Sequence, residues 1–459
     1  MTDITSRQAD STNALSVPIR FGWGIGSLSI SLMFNATSLL MLRYLVDFVG
    51  LGAALAGLLI GIAKIYDAVT DPLMGTISDR TRHRTGRRRP YLLAGAIISA
   101  LSFVLIFHLA YFQGASYLVL LVVMALVLNA TGYTVFNVPY MAMPAEMTRN
   151  YHERTSLMSF RIASVAGGQL FASVIGPILL VAYGTGISGH AGMSWILGAV
   201  IFAGGALCFL MTRDAPFESQ LKPSVPMGLS AQFKTAWENR PFMLLLGIKL
   251  THLFGLAIFI SVLPFLFIRI MQVPIDYLGY FFLAQGSLMM VSQAAWVRVS
   301  RRVGKKGTYL ISAAIYSVAG LSWLFVVQGE PAAAILARGL VAGLGAGGLL
   351  LVGQSMLPDT MEYDYQLSGE RREGILSGVY TTVEKISFAL GPALTGLLLG
   401  AAGYIQSADA LVEQPQAART VMYLCASVIP IGSLGLGCLL LLRYDLTEER
   451  LKAGAVRVR

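Results

Sequence analysis

Charge is scarce in this chain: Asp, Glu, Lys and Arg make up 13% of its 459 residues, against 55% hydrophobic ones. A soluble protein of this length needs far more polar surface, so most of the chain is solvated by lipid. Cysteine is scarcer still. Cys208, Cys425 and Cys438 all lie in apolar stretches without CxxC spacing. That excludes a disulfide framework and reads as small buried hydrophobes. The sequence has no metal-ligand cluster, phosphate loop or dinucleotide fingerprint. Gly343-Leu344-Gly345 runs on through small residues to Gly348, a pattern for close helix packing rather than a nucleotide turn. Met1 to Ser16 lack the charged, apolar, small-residue order of a cleavable signal.

What the sequence does contain is apolar runs of membrane-crossing length, about 20 residues each. Twelve are expected, at 19–46, 50–78, 90–112, 116–145, 154–184, 191–212, 241–270, 275–299, 307–328, 331–357, 373–403 and 419–443. The fold class is therefore an all-α integral membrane protein. The net charge of +10 sits in short loops: Arg80 to Arg89, Arg149, Lys222 and Lys234, Arg301 to Lys306, Arg371 and Arg372, and the tail with Arg450, Lys452, Arg457 and Arg459. The opposite loops, near Asp47, Gln113, Gly186 and Glu330, have almost no Lys or Arg. The positive-inside rule then places both termini in the cytoplasm, and this distribution excludes a nucleic-acid groove.

The long polar stretch between the sixth and seventh runs divides the chain into a tail at 1–18, a six-helix bundle at 19–212, a central cytoplasmic loop at 213–240, a second six-helix bundle at 241–443 and a tail at 444–459. The halves echo each other. Asp79-Arg80 with its basic run follows the second span, and Arg301-Arg302-Val303-Gly304-Lys305-Lys306 follows the eighth. Pro144-Ala145-Glu146-Met147 follows the fourth, and Pro358-Asp359-Thr360-Met361 the tenth. Two parallel repeats of six helices are the plan of a rocking transporter.

An ionised side chain inside an apolar helix costs about 2.5–3.5 kcal/mol on insertion scales, so it marks an ion or substrate path. Asp67 and Asp71 are four residues apart and share a helix face, with Lys64 three residues before Asp67 and Pro72 directly after Asp71. Two such carboxylates suit a small hard cation such as Na⁺ or a shared proton, with Lys64 neutralising them otherwise; a buried ion triad pinning two helices is the alternative. Further intramembrane polar residues are Thr134 and Asn137 before Pro139, Arg161, Lys249 and His252, Arg338, and Glu384-Lys385. Adjacent Glu384 and Lys385 point about 100° apart, so at least one faces a cavity. Arg43 and Arg269, near helix ends, are expected to snorkel. Gly75, one turn before Asp79, is expected to allow close helix approach, with Asp79 and Arg80 forming a gate. Arg82 to Arg89 are expected to act mainly as a topogenic anchor.

These residues carry a resemblance. Gly75-x-x-x-Asp79-Arg80 resembles the loop motif of the major facilitator superfamily. Asp67-x-x-x-Asp71-Pro72-x-x-Gly75, Gly86-Arg87-Arg88-Arg89-Pro90, Asn137-Val138-Pro139-Tyr140, Glu153-Arg154-Thr155 and Asp359-x-x-Glu362-Tyr363 resemble the glycoside–pentoside–hexuronide:cation symporter family, to which the melibiose permease belongs. The resemblance implies two pseudo-symmetric six-helix bundles in the cytoplasmic (inner) membrane and an importer of a glycoside or related sugar rather than an enzyme. Asp67, Asp71, Thr70 and Thr134 would hold the coupling ion, Na⁺ or H⁺ or Li⁺, with no cofactor. Asn137, Arg161, Lys385, Tyr140 and Met141 would serve the substrate, while Lys64, Gly75, Asp79, Arg80 and Glu384 would serve coupling or gating. A monomer among membrane lipids, with a small-molecule substrate, is expected. The sequence departs from the sugar permeases in three places. No acid lies between Arg20 and Asp47, Asn137 replaces a carboxylate, and Met141 replaces the aromatic that stacks on sugar. An amphiphilic or anionic substrate, such as a lysolipid, is the alternative cargo. An intramembrane aspartyl protease is a remote one, for which Tyr66-Asp67 would need a second acid on another helix.

Overall fold

The computed structural model describes residues 15–148, 151–216, 237, 239–369, 372–409 and 411–446. Arg149, Lys222, Lys234, Arg371, Arg450, Lys452, Arg457 and Arg459, which share in the orientation argument, lie outside these residues. So do most of 213–240 and most of both tails.

The described residues form helices and connecting turns, without a strand. In chain order these are α1 Val17–Arg43, which runs on through a wide π turn at Tyr44–Phe48, and α2 Ala53–Arg80. Then come α3 Arg89–Ile106, α4 Leu118–Met147 and α5 Tyr151–Leu170, the last continued through Phe171–Ile175 to Gly176–Ala182. Next are α6 Ile187–Thr212, α7 Arg240–Phe265 with a π turn at Leu266–Met271, and α8 Tyr277–Val291. Last are α9 Gln293–Ser322, α10 Ala332–Ser368, α11 Glu373–Ala401 and α12, Gln416–Tyr423 extended to Ile429–Leu442.

Eleven of these are long and apolar enough to cross a membrane, and α8 with its 15 residues is the shorter one. The expected eighth crossing, 275–299, is still accounted for. Gln293–Ser322 is interrupted at Gly304, where φ is 72° and ψ 173°, a backbone region essentially reserved for glycine. The segment before Gly304 prolongs α8, and the segment after it forms the ninth crossing. A Cβ added at Gly304 would meet nothing within 4 Å, so a substitution there is felt by the backbone alone. Gly304→Ala should therefore lose about 1–3 kcal/mol of stability, read as a lower unfolding temperature in detergent. An unchanged melt would mean that the chain does not turn there.

The lipid face is legible on α2. Ile62, Ile65, Val69, Leu73 and Ile77 recur every three or four residues and are all more than half exposed. Asp67 is buried on the other side, which inverts the pattern of a soluble amphipathic helix. The glycine run of α10 provides close packing as expected. A Cβ at Gly343 would come within 2.3 Å of the Gln285 carbonyl of α8, and one at Gly345 within 2.6 Å of the Tyr316 nitrogen of α9. Without a hydrophobic driving force in lipid, such close backbone approach is what helix association rests on.

The chain divides into two compact units. The first holds the described residues of Met1–Thr37, Val69–Ala172 and Tyr183–Pro226. Its core includes Trp23, Leu92, Phe136, Tyr140, Met143 and Cys208. The second holds those of Ser38–Ala68, Ser173–Ala182 and Met227–Arg459. There α7, α9, α10 and α11 bury Phe242, Tyr309, Val352, Met356, Leu376 and Val379.

Candidate functional site

The acid pair sits on one continuous helix, with Asp71 one turn beyond Asp67. Within the second unit, Asp67 is buried and its Oδ2 lies 2.8 Å from the Nζ of Lys385 on α11. Lys64 is within electrostatic reach of both Asp67 and Lys385. Within the first unit, the Thr134 hydroxyl of α4 donates to Asp71 Oδ1 at 3.0 Å and lies 3.5 Å from the Thr70 hydroxyl. The two acids thus have different surroundings. Asp67 meets the Lys385 ammonium, and Asp71 meets the Thr134 hydroxyl, a hard oxygen donor of the kind alkali cations take.

Glu384 and Lys385 diverge as their 100° spacing requires. Lys385 turns to Asp67, while Glu384 Oε2 lies 3.0 Å from Lys249 Nζ of α7. Lys249 also donates to the Tyr380 carbonyl at 2.9 Å and sits 3.3 Å from the centre of the Tyr380 ring.

The expected substrate residues separate. Lys385 belongs to the second unit, and Asn137, Tyr140, Met141 and Arg161 to the first. Asn137 is half-buried and Met141 is exposed, and Arg161 Nε is buried without a hydrogen-bond partner among the described residues. Tyr140 is a correction, because it is a core residue. Its ring stacks on Trp23 at 4.9 Å, and its hydroxyl donates to the Trp23 carbonyl at 2.9 Å and meets Ser27 at 2.7 Å. Its one hydroxyl hydrogen is committed to that carbonyl. Asn137 and Tyr140 are three residues apart on α4, and sequence spacing alone does not say which of them faces inward.

The basic segment also departs from expectation. Asp79 forms an ion pair with Arg88 at 2.7 Å, while the Arg80 side chain is exposed. Glu146 of α4 takes both Arg87 and Arg88, and Arg89 caps the end of α6 through the carbonyls of Arg213, at 3.0 Å, and Ala215. Arg88 and Arg89 are buried, so the last part of this run ties three helix ends together and does more than anchor. Gly75 is not a close-approach site, since a Cβ there would meet only Val138 at an ordinary 3.7 Å. The second unit repeats the device: Lys305, just past Gly304, pairs with Asp359 of α10.

Arg43 and Arg269 do not snorkel. Both are buried against Asp47, at 3.2 and 3.3 Å. Tyr404 donates to Asp47 at 2.8 Å and accepts from Arg269 Nε at 3.0 Å. The clue in the sequence is that Arg43 and Arg269 stand on the side whose loops are otherwise empty of Lys and Arg. A buried cation in that position needs a counter-ion.

A family model described as MFS/sugar transport protein matches residues 22–448. The putative glycoside/cation symporter YagG of Escherichia coli (strain K12) is 29% identical over 96% of this chain and 94% of its own length. The isoprimeverose transporter of Lactiplantibacillus pentosus is 28% identical over 94% of this chain and 88% of its own. Among solved structures, a bacterial homolog of the human lysosomal transporter Spinster superposes with a TM-score of 0.67 at 17% identity, covering 95% of this chain and 100% of that one.

Proposed function

The chain belongs to the MFS/sugar transport protein family, and from that premise we propose that it is a cation-coupled secondary symporter for a glycoside or related sugar. Its relatives are named as glycoside/cation symporters and sugar transporters, in line with the glycoside–pentoside–hexuronide resemblance of its motifs. The observation that carries the coupling assignment is the pair of membrane-embedded carboxylates with contrasting partners, Asp67 on Lys385 and Asp71 on Thr134. In this reading the Lys385 ammonium stands in for the cation at Asp67. A Na⁺ ion or proton arriving at Asp71 and Asp67 displaces it, and the neutralised site then permits the change of access. Na⁺ and H⁺ both satisfy this scheme. The Lys- and Arg-rich loops support a cytoplasmic position for both termini, and alternating access between the two six-helix repeats follows from the duplication.

Reconstituted protein should accumulate substrate above equilibrium when a Na⁺ or H⁺ gradient is imposed, and only equilibrate it without one. Equal uptake in both conditions would sink the coupling assignment. Thr134→Val removes the hydroxyl that orients Asp71 without removing charge. It should raise the half-saturating cation concentration by about tenfold, with maximal uptake retained, and an unchanged cation dependence would remove Thr134 from the site.

A further inference from the structure

Helix α11 shows two exposed faces of opposite character. One carries Ile386, Leu390 and Leu397 and faces lipid. The other carries Thr381 and Glu384, one turn apart and both exposed. The Glu384 side chain is 48% exposed, although it lies in the middle of an apolar span. A carboxylate at that depth is not tolerated against hydrocarbon, so this face is wet. Beneath Glu384 lies its partner Lys249, only 9% exposed and held by the Tyr380 carbonyl and ring. The group presented to the water is the carboxylate, and the ammonium is its buried support.

We propose that Glu384 is the acceptor for substrate hydroxyls, making this a carrier of neutral, hydroxyl-rich glycosides that discriminates against uronides and other anions. The proposal rests on the symporter reading above and deepens it. A carboxylate can accept two hydroxyl hydrogen bonds at once, and charge-assisted bonds of this kind are the strong ones. An anionic substrate approaching the same face meets like charge, with Lys249 shielded behind it. Lys249, 3.0 Å from Glu384 Oε2, holds and aims that carboxylate, which is a positioning role.

The test uses the full chain in proteoliposomes with a Na⁺ or H⁺ gradient, and two probes: isoprimeverose as the neutral glycoside and phenyl glucuronide as the anionic one. Wild-type protein should accumulate the neutral probe in preference. Glu384→Gln should raise its half-saturation by about tenfold or more and narrow the preference by admitting more glucuronide, with Glu384→Asp between the two. Cation-induced thermal stabilisation in detergent should be unchanged in both variants, which shows that they fold and keep the coupling site. If Glu384→Gln alters stability but not the neutral-to-anionic ratio, the pair is only a helix-helix strut and the proposal fails. Wild-type preference for the glucuronide would overturn it equally. If wild-type protein accumulates neither probe under either gradient, the symporter reading itself fails, and with it the inference.

Discussion

Asp71→Asn should reduce accumulation under a 100 mV driving force from roughly fiftyfold to none, since one charge moving through that potential supplies about 2.3 kcal/mol. The asparagine keeps an oxygen for the Thr134 hydroxyl, which now bonds Asp71 at 3.0 Å, so packing changes little. What disappears is the negative charge that lets a cation or proton neutralise the site. Without it the protein should still exchange substrate across the membrane down its gradient, since the substrate surfaces are untouched. Asp67→Asn should abolish accumulation too, but with an added symptom. Asp67 is the carboxylate facing Lys385 at 2.8 Å, with Lys64 close by. Removing it leaves positive charge buried, which costs about 3–5 kcal/mol where a buried pair is broken. The Asp67 variant should therefore unfold at lower temperature than the Asp71 variant, and adding Lys385→Met should restore stability without restoring accumulation. Uptake by Asp71→Asn that still exceeds equilibrium would end the coupling assignment. Equal melts for the two single variants would end the division of labour between them.

That contrast between the two acids was not legible from their spacing. The four-residue repeat places Asp67 and Asp71 on one helix face, and the cost of burial marks them as important. The partners, however, come from α4 and α11, more than 60 and 300 residues away, and only tertiary structure assigns a hydroxyl to one and an ammonium to the other. The crossings were readable because apolar runs of fixed length have few alternatives in lipid. The boundary between the eighth and ninth was readable as well, since the turn at Gly304 falls inside the basic stretch Arg301 to Lys306 that separates 275–299 from 307–328. Charged residues at helix ends were misread in both directions. Arg87 to Arg89 looked like solvated anchors, and Arg43 and Arg269 looked able to snorkel, because length and position near an interface permit either. What decided against solvent was the presence of Glu146, Asp79 and Asp47 opposite them. Tyr140 shows the same limit from the other side, since an aromatic beside a substrate residue can as readily turn into the core.

Asp47→Asn should be among the most destabilising single substitutions in the chain, costing about 3–5 kcal/mol. Its carboxylate is fully buried, as is the Arg269 side chain, and Arg43 is 7% exposed. Two guanidinium groups therefore depend on one acid. Arg269 has other support, since it donates to Tyr404 at 3.0 Å, to the Ser407 carbonyl at 2.5 Å and to the Asp409 carbonyl. Those acceptors satisfy its hydrogen bonds but do not cancel its charge. Arg43 has less to fall back on: besides Asp47, it has the face of Phe48 at 5.3 Å. If charge balance is what holds this cluster, removing one cation together with the acid should relieve most of the damage. Asp47→Asn with Arg43→Met should then melt at a higher temperature than Asp47→Asn alone, although it carries one more substitution. Replacing Arg43 alone should be mild, because it leaves Asp47 paired with Arg269 and bonded to Tyr404. If the double variant is less stable than Asp47→Asn, packing by the Arg43 stem outweighs its charge, and the cluster is held by shape rather than by electrostatic balance.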